Sequence, residues 1–485
     1  MSRFLPADRP RRTQAGERRS DRAAPTAVDG EVSFWVHREG RPVLRAALPG
    51  SIEADVAIVG AGMTGLWTAY YLKRAAPELD IAVLEKEFAG FGASGRNGGW
   101  LSAKIPGQFR RFAKSRGIAA ARALEREMIA SVVEACEVAR AEGFGDEVVR
   151  DGLMHVATSP AQLARLHAQV AELPDRGWIE GEDFRLLTPS EFDERVHVAG
   201  SMGGYWSPHC ARIDPARFTF GLARAVERLG VTIYEGTTVR RIQPRAAITD
   251  RGVVSAPTVV RALEGYTGSL EGHRRRFLPM NSSMVVTERL TDEQLASVGW
   301  RGAELLGDAA HNFAYIQRTA DGRIALGGRG VPYDFASGFD RQGRTADAAV
   351  TQLGSRLVQL FPGLADARLA HSWSGVLGVP RDWCAGVNHD PATGLADAGG
   401  YVGHGVTSAN LAGRTLRDLI LGEPSELTRL PWVGRTARDW EPEPLRWIAA
   451  SALYAAYRHA DRAEYRTGRA RTHASARIAD LISGR

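Results

Sequence analysis

The sequence predicts a mixed α/β fold, α+β overall, with a Rossmann-like unit near its start, an antiparallel sheet in its middle and a helical extension at its end. Three observations carry this. The β-branched run DVAIVG at 55–60 passes into a glycine turn, a helical repeat (Leu66, Ala69, Tyr70, Leu72) and a second strand, 80–84, that ends in Glu85. Strand-like runs at 282–287, 314–318 and 324–328 follow one another closely enough to pair antiparallel. Residues 445–471 are basic and helical in texture.

Size and composition suit two or three domain-sized cores: 485 residues, 44% hydrophobic and 24% charged. The net charge of +6 is carried almost wholly by Arg, since Lys stands only at 73, 86, 104 and 114. Arg3, Arg9, Arg11, Arg12, Arg18, Arg19 and Arg22 crowd the start among Pro, Ala, Ser and Gly, which predicts a disordered basic tail over 1–33. With no aromatic residue after Phe4 in that tail to stack on bases, nucleic acid is not expected as a partner. The Arg pairs are not followed by an apolar stretch, which argues against a twin-arginine export signal. No apolar run reaches membrane-spanning length. Cys136, Cys210 and Cys384 are far apart and form no C-x-x-C, so neither a disulfide framework nor a metal site is expected. Free thiols fit a cytoplasmic protein.

The remaining elements follow in order. Residues 33–48 read as a lead-in and 117–142 as a long Ala-, Glu- and Arg-rich helix. Residues 153–157 read as a strand and 160–172 as a helix. Asp214-Pro215 starts a helix through Leu229, with Pro in its first turn. Residues 231–234 and 238–242 are strand-like, and 345–361 are helical. A last glycine turn at 399–405 leads into a helix from Ser408 to Leu421.

The GAGMTG turn at 60–65 has the context that a dinucleotide site needs. Gly60 permits the tight turn, Gly62 lets the backbone approach a pyrophosphate, and Gly65 lets helix and strand pack closely. The helix start then offers free N–H groups and a positive dipole end to the phosphates. Glu85 is placed to accept hydrogen bonds from ribose hydroxyls. The turn alone does not separate NAD from FAD. The stretch 90–99 does more, because it is too glycine-rich for ordinary packing and admits something large and flat. The turn at 403–408 aims a second helix dipole, suited to the negative charge of a reduced flavin.

These motifs resemble the D-amino-acid oxidase superfamily of FAD-dependent oxidoreductases, and within it the bacterial gamma-glutamylputrescine oxidases. The resemblance covers about 34–425. It rests most on GASGRNGG at 92–99, which resembles the family's flavin loop, and on RIDP at 212–215, WSGVL at 373–377 and GGYVGHGV at 399–406. It implies non-covalently held FAD, contacted by Gly60, Gly62, Met63, Thr64, Gly65, Glu85, Lys86, Gly92, Ala93, Ser94, Arg96, Asn97, Gly98 and Gly99. Val239, Gly375, Gly403, His404, Gly405, Val406 and Thr407 complete that set. It also implies discontinuous domains: an FAD-binding domain from 34–110, 205–272 and 366–428, a substrate domain from 111–204 and 273–365, and a C-terminal extension over 429–485.

Two departures bear on function. Amino-acid oxidases of the family hold the substrate carboxylate with an Arg where this chain has Leu377, which shifts the expected substrate from α-amino acids to amines. Some relatives place a Lys over the flavin to promote reaction with O2, and here only Lys104 is available. The expected reaction is hydride transfer from the α-carbon of an amine to flavin, followed by imine hydrolysis, with O2 reduced to H2O2. A dehydrogenase passing electrons to a quinone or carrier, and a tRNA-associated flavoprotein, are the rival readings. Tyr315, His404 and Lys104 are the candidate catalytic residues. Phe313, Tyr315 and Gln317 share one face of a strand, either toward the flavin or against a helix. Trp100 either walls the pocket or packs, and His404 either meets the flavin or caps a helix. The tail helix carries an apolar stripe (Leu445, Ile448, Ala452, Tyr454, Ala455) and a basic one (Arg458, Arg462, Arg466), to dock on its own domain, on a second subunit in a homo-oligomer, or on a membrane surface.

Overall fold

The computed structural model describes residues 27–328, 333–338 and 342–483, so the Arg run of the first 26 residues lies outside the described part. Two sheets organise the chain. The first has six strands, in the spatial order Thr232–Tyr234, Ile81–Leu84, Val56–Val59, Thr258–Arg261, Leu395–Gly399 and Gly386–Asp390. All neighbours are parallel except the last pair. Every residue of Val56–Val59 and Ile81–Leu84 is buried, as continuous apolar runs in a doubly covered parallel sheet require. The helices Met63–Ala75 and Gly405–Leu421 cross against one face, where a Cβ on Gly413 would stand 2.7 Å from the Trp67 carbonyl carbon.

The second sheet has nine strands. Their order is Val28–Asp29, Leu369–Val379, Leu278–Thr287, Ile324–Gly328, Tyr315–Arg318, Leu305–Asp308, Leu153–Val156, Gly204–Ser207 and Arg185–Leu187. The antiparallel core expected at 282–287, 314–318 and 324–328 is present, with Met284 opposite Trp373 and Tyr315 opposite Gly327. Asp214 caps its helix as its sequence indicates, accepting the Arg217 N–H at 2.9 Å.

Several expected boundaries move. Residues 28–33, assigned to the tail, are ordered: Val28–Asp29 pair parallel with His371–Ser372, and Val32 is buried. An edge strand two residues long carries no periodicity for a sequence to reveal. Residues 205–207 of the strand Gly204–Ser207, and all of Leu369–Val379, assigned to the FAD-binding segments, belong to the nine-stranded sheet. The long helix Ile118–Ala141, assigned to the substrate domain, buries Leu124, Met128, Val132 and Ala135 in the core of the six-stranded sheet and its helices. The C-terminal extension is two helices, Leu445–Thr467 and Ala474–Ser483. The first docks on its own chain through Ala450, Tyr454, Tyr457 and Ala460, beside Leu278, Met280 and Val379. Of the expected stripe only Tyr454 is buried; Leu445 and Ile448 are exposed.

Candidate active site

One cavity of about 1120 Å³ runs between the two sheets. It exceeds the roughly 300–1,000 Å³ typical of a single ligand pocket and so has room for a dinucleotide and a substrate. Its nucleotide end is lined by Gly60, Gly62, Met63 and Thr64 at the start of one helix, by Glu85 and Lys86, and by Val239. Glu85 accepts the Ala61 N–H at 2.9 Å and the Glu87 N–H at 3.0 Å, and burial pushes its carboxyl above the ordinary range. Ser94 reaches across to take the Met63 N–H at 2.8 Å. Gly403, His404, Gly405 and Val406 bring the start of the Gly405–Leu421 helix to the same cavity. The Tyr401 and Thr64 hydroxyls, 3.0 Å apart, tie the two helix starts together.

The loop at 92–99 is held from behind by its carbonyls. Ser33 donates to Gly95 O at 2.7 Å, the Trp373 indole to Arg96 O at 2.8 Å, the Trp35 indole to Asn97 O at 2.9 Å and the Gln317 amide to Gly98 O at 2.8 Å. Four successive carbonyls are thereby satisfied on the protein side, while Gly92, Ala93, Ser94, Arg96, Asn97 and Gly98 line the cavity. Added Cβ atoms show where the glycines matter: one on Gly65 would lie 2.0 Å from Gly60 O, and one on Gly98 would lie 2.7 Å from the Tyr315 ring. A Cβ on Gly99 would lie 2.2 Å from the Gln317 amide nitrogen, so Gly65 and Gly99 are sites of close packing, and neither lines the cavity. Thr407, expected at the cofactor, is buried and does not line the cavity, and its hydroxyl has no hydrogen-bond partner among the described residues. The other expected cofactor residues line the cavity, and so does Gly375.

The substrate end is walled by Trp100, Lys104, His155, Tyr205, Phe313 and Tyr315, with Leu377 and His404. Tyr315 shares a hydrogen bond with Ser282 at 2.8 Å. Gln317, expected in this wall, is buried beneath the flavin loop; Phe313 precedes the strand and is 37% exposed. Sequence reasoning missed His155 and Tyr205, whose rings stack 5.2 Å apart, with Trp100 edge-on at 6.2 Å from His155. A signal existed, because His155 is the polar residue of an otherwise apolar strand, LMHV. Burial, then the Lys104 cation, pushes His155 down to about 3, so its ring is neutral. Trp100 keeps a buried indole N–H with no acceptor among the described residues. Asp308, in the cavity wall, is committed to Arg356 (2.5 Å) and to the Ala310 and Ala314 N–H groups. His311, Asp461 and Glu464 bring three ligand-type atoms within 4.8 Å, but the Arg165 guanidinium stands 2.9 Å from His311 and 3.0 Å from Glu464, which makes the group an ion-pair lock.

Glu264 was also missed. It lines the cavity and accepts the Tyr401 N–H at 2.8 Å and the Gly378 N–H. Burial raises its carboxyl to about 7, against the pull of those N–H donors. A carboxyl with a raised native pKa costs nothing below the unfolded value near 4.5 and lowers stability as pH rises through about 7. Flavin-free protein is therefore expected to lose about 3 kcal/mol between pH 4.5 and 8 through this group. Glu264→Gln should be less stable at acid pH, where its NH2 faces an N–H donor, by about 1 kcal/mol, but should flatten the slope. Urea midpoints across that range test this; identical slopes would refute it.

The site fits FAD: two helix starts, a buried acid at the end of the second strand, a glycine loop with its carbonyls turned away, and an aromatic chamber beyond. That architecture defines a dinucleotide-binding oxidoreductase. The family model described as FAD dependent oxidoreductase (DAO) matches residues 55–419, and the chain belongs to that family of FAD-binding enzymes. It is 29% identical to the probable oxidoreductase OrdL of Rhizobium meliloti over 412 residues, 80% of this chain and 88% of the relative. It is 30% identical to the gamma-glutamylputrescine oxidoreductase of Escherichia coli over 386 residues, 77% of this chain and 85% of the relative. Among solved structures, glycine oxidase from Geobacillus kaustophilus shares the fold, with a TM-score of 0.64 and 22% identity, over 77% of this chain and 96% of that one. Among the described residues no helix is long and apolar enough to cross a membrane.

Proposed function

We propose that this protein oxidises the C–N bond of a primary or secondary amine of the γ-glutamylputrescine type, with O2 as electron acceptor and non-covalently held FAD. The observation that carries the reading is Leu377, which lines the cavity beside Val376 where amino-acid oxidases of the family hold a carboxylate with Arg. An apolar side chain there gives an α-carboxylate no bidentate partner. The 30% identity to gamma-glutamylputrescine oxidoreductase points the same way. None of the three cysteines lines the cavity, which supports a non-covalent flavin, and all three are free thiols, as in a reducing compartment.

FAD held there would supply the acceptor for a hydride from the amine α-carbon and the route of its two electrons to O2, giving H2O2, and water would hydrolyse the resulting imine to an aldehyde and ammonia or an amine. The residues do the rest. Trp100, Tyr205, Phe313 and Tyr315 enclose the carbon chain and displace water. Neutral His155, and an Asp308 already paired with Arg356, leave the amine free to lose its proton before reaction. Lys104 lines the same wall, and its cation would stabilise the negative charge that O2 gains on reduction.

The test is the anaerobic visible spectrum with γ-glutamylputrescine, then with α-amino acids, then in air. Bleaching by the amine alone and quick return of colour are expected. Bleaching by α-amino acids alone would sink the amine reading, and slow return in air with fast dye reduction would mark a dehydrogenase. Lys104→Met is expected to slow reoxidation roughly a hundredfold with little change in bleaching rate; an unchanged rate in air would remove Lys104 from that role.

A further inference from the structure

The family match ends at residue 419, yet the cavity wall continues into the C-terminal helical pair, through Thr472, Arg477 and Asp480. The pair is locked to the chamber. Asp461 accepts the His311 and Asn312 N–H groups, both at 2.9 Å, and so fixes the turn that delivers Phe313. Glu464 binds His311 and Arg165, each at 3.0 Å, and accepts the His473 N–H at 2.8 Å just before the second helix. The Tyr457 hydroxyl donates to Asp480 at 2.6 Å, joining the two helices.

Charge distinguishes one residue in this wall. Arg165 is paired with Glu464, Arg176 with Glu125, and Asp308 with Arg356. Arg477 is exposed at the cavity wall, and its guanidinium makes no hydrogen bond or ion pair among the described residues. A guanidinium fork held on a docked helix suits a planar carboxylate.

We propose that the C-terminal helical pair is a specificity element of the active site, and that Arg477 binds a carboxylate at the end of the amine substrate remote from the reacting carbon. This rests on the amine reading above. It also reconciles Leu377 with an anionic substrate: the carboxylate is recognised far from the reacting C–N bond, where it does not hold the amine protonated.

The experiment uses the full-length FAD-loaded protein, its Arg477→Ala and Arg477→Lys variants, and anaerobic flavin reduction by γ-glutamylputrescine and its α-methyl ester. Arg477→Ala is expected to raise KM for the free acid about tenfold, with kcat little changed and no effect on the ester; Arg477→Lys should recover part of the loss. Equal losses on both compounds, or none on either, would overturn the proposal. Calorimetric binding of γ-glutamyl-n-butylamide, which keeps the carboxylate and lacks the reacting amine, reads the anion site independently. Binding weakened about tenfold by Arg477→Ala supports it even if no amine bleaches the flavin, in which case the amine reading is what has failed. Binding that is undetectable in the wild type, or untouched by the substitution, overturns it.

Discussion

Gly65→Ala is expected to yield a colourless protein. A methyl group at this position would sit 2.0 Å from the Gly60 carbonyl oxygen and 3.1 Å from the Ile58 side chain. The nearer atom is backbone in the glycine turn, so no side chain can swing aside. The helix Met63–Ala75 must instead move off the Val56–Val59 strand, and its first turn moves away from the phosphate position with it. Overpacking of this kind costs about 1–3 kcal/mol in stability. The larger effect falls on the cofactor, because a displaced helix start loses both its N–H donors and its dipole at the pyrophosphate. Affinity for FAD should fall by on the order of a hundredfold or more, equivalent to about 3 kcal/mol. Gly50→Ala is the control, because nothing lies within 4 Å of the added carbon and the backbone there is ordinary. FAD titration by tryptophan quenching separates the cases, and wild-type affinity in Gly65→Ala would refute the close-packing role.

Trp35→Ala should do comparable damage from outside the nucleotide motif. Trp35 is 1% exposed, lies edge-on to Trp373 at 5.9 Å and to Phe34 at 5.1 Å, and donates to the Asn97 carbonyl. Removing a buried aromatic of this size costs roughly 3–5 kcal/mol. It also strips one of the four carbonyl clamps from the flavin loop. Trp35→Phe isolates the second effect by retaining most of the packing and losing only the donor; FAD should then bind about fivefold more weakly. Trp373→Phe, which removes the donor to Arg96 O, should behave similarly. If Trp35→Ala unfolds in urea like wild type, the Phe34–Val36 segment is not the support this packing implies.

The cofactor end was legible because its chemistry is local. Gly60, Gly62 and Glu85 stand within one strand–turn–helix–strand unit, where spacing alone fixes geometry. The substrate end was less so. Tyr315 and Gln317 were correctly placed on one strand, but alternation cannot say that Gln317 reaches under the loop to Gly98 while Tyr315 remains in the wall. His155 and Glu264 depend on contacts across the sheets, to Tyr205 and to Tyr401, which no local period encodes. The C-terminal stripe failed for a related reason. In a helix that is small or apolar on several sides, the face that docks is chosen by the surface it meets, here Met280 and Val379.

The edge strand at Val28–Asp29 has a consequence for how the protein comes to be made. Ser372 donates to Asp29 across 343 residues of chain, so the front of the molecule emerges long before its partner exists. At roughly 5–20 residues per second, a ribosome takes about 20–70 s to supply that partner. During that interval Phe34, Trp35 and Val36, which end up buried against Trp373, have no native surface to cover them. Non-local pairing of this kind folds slowly and leaves the nascent chain open to aggregation. The chamber wall is completed late for the same reason, because Thr472, Arg477 and Asp480 follow every other wall residue in the chain.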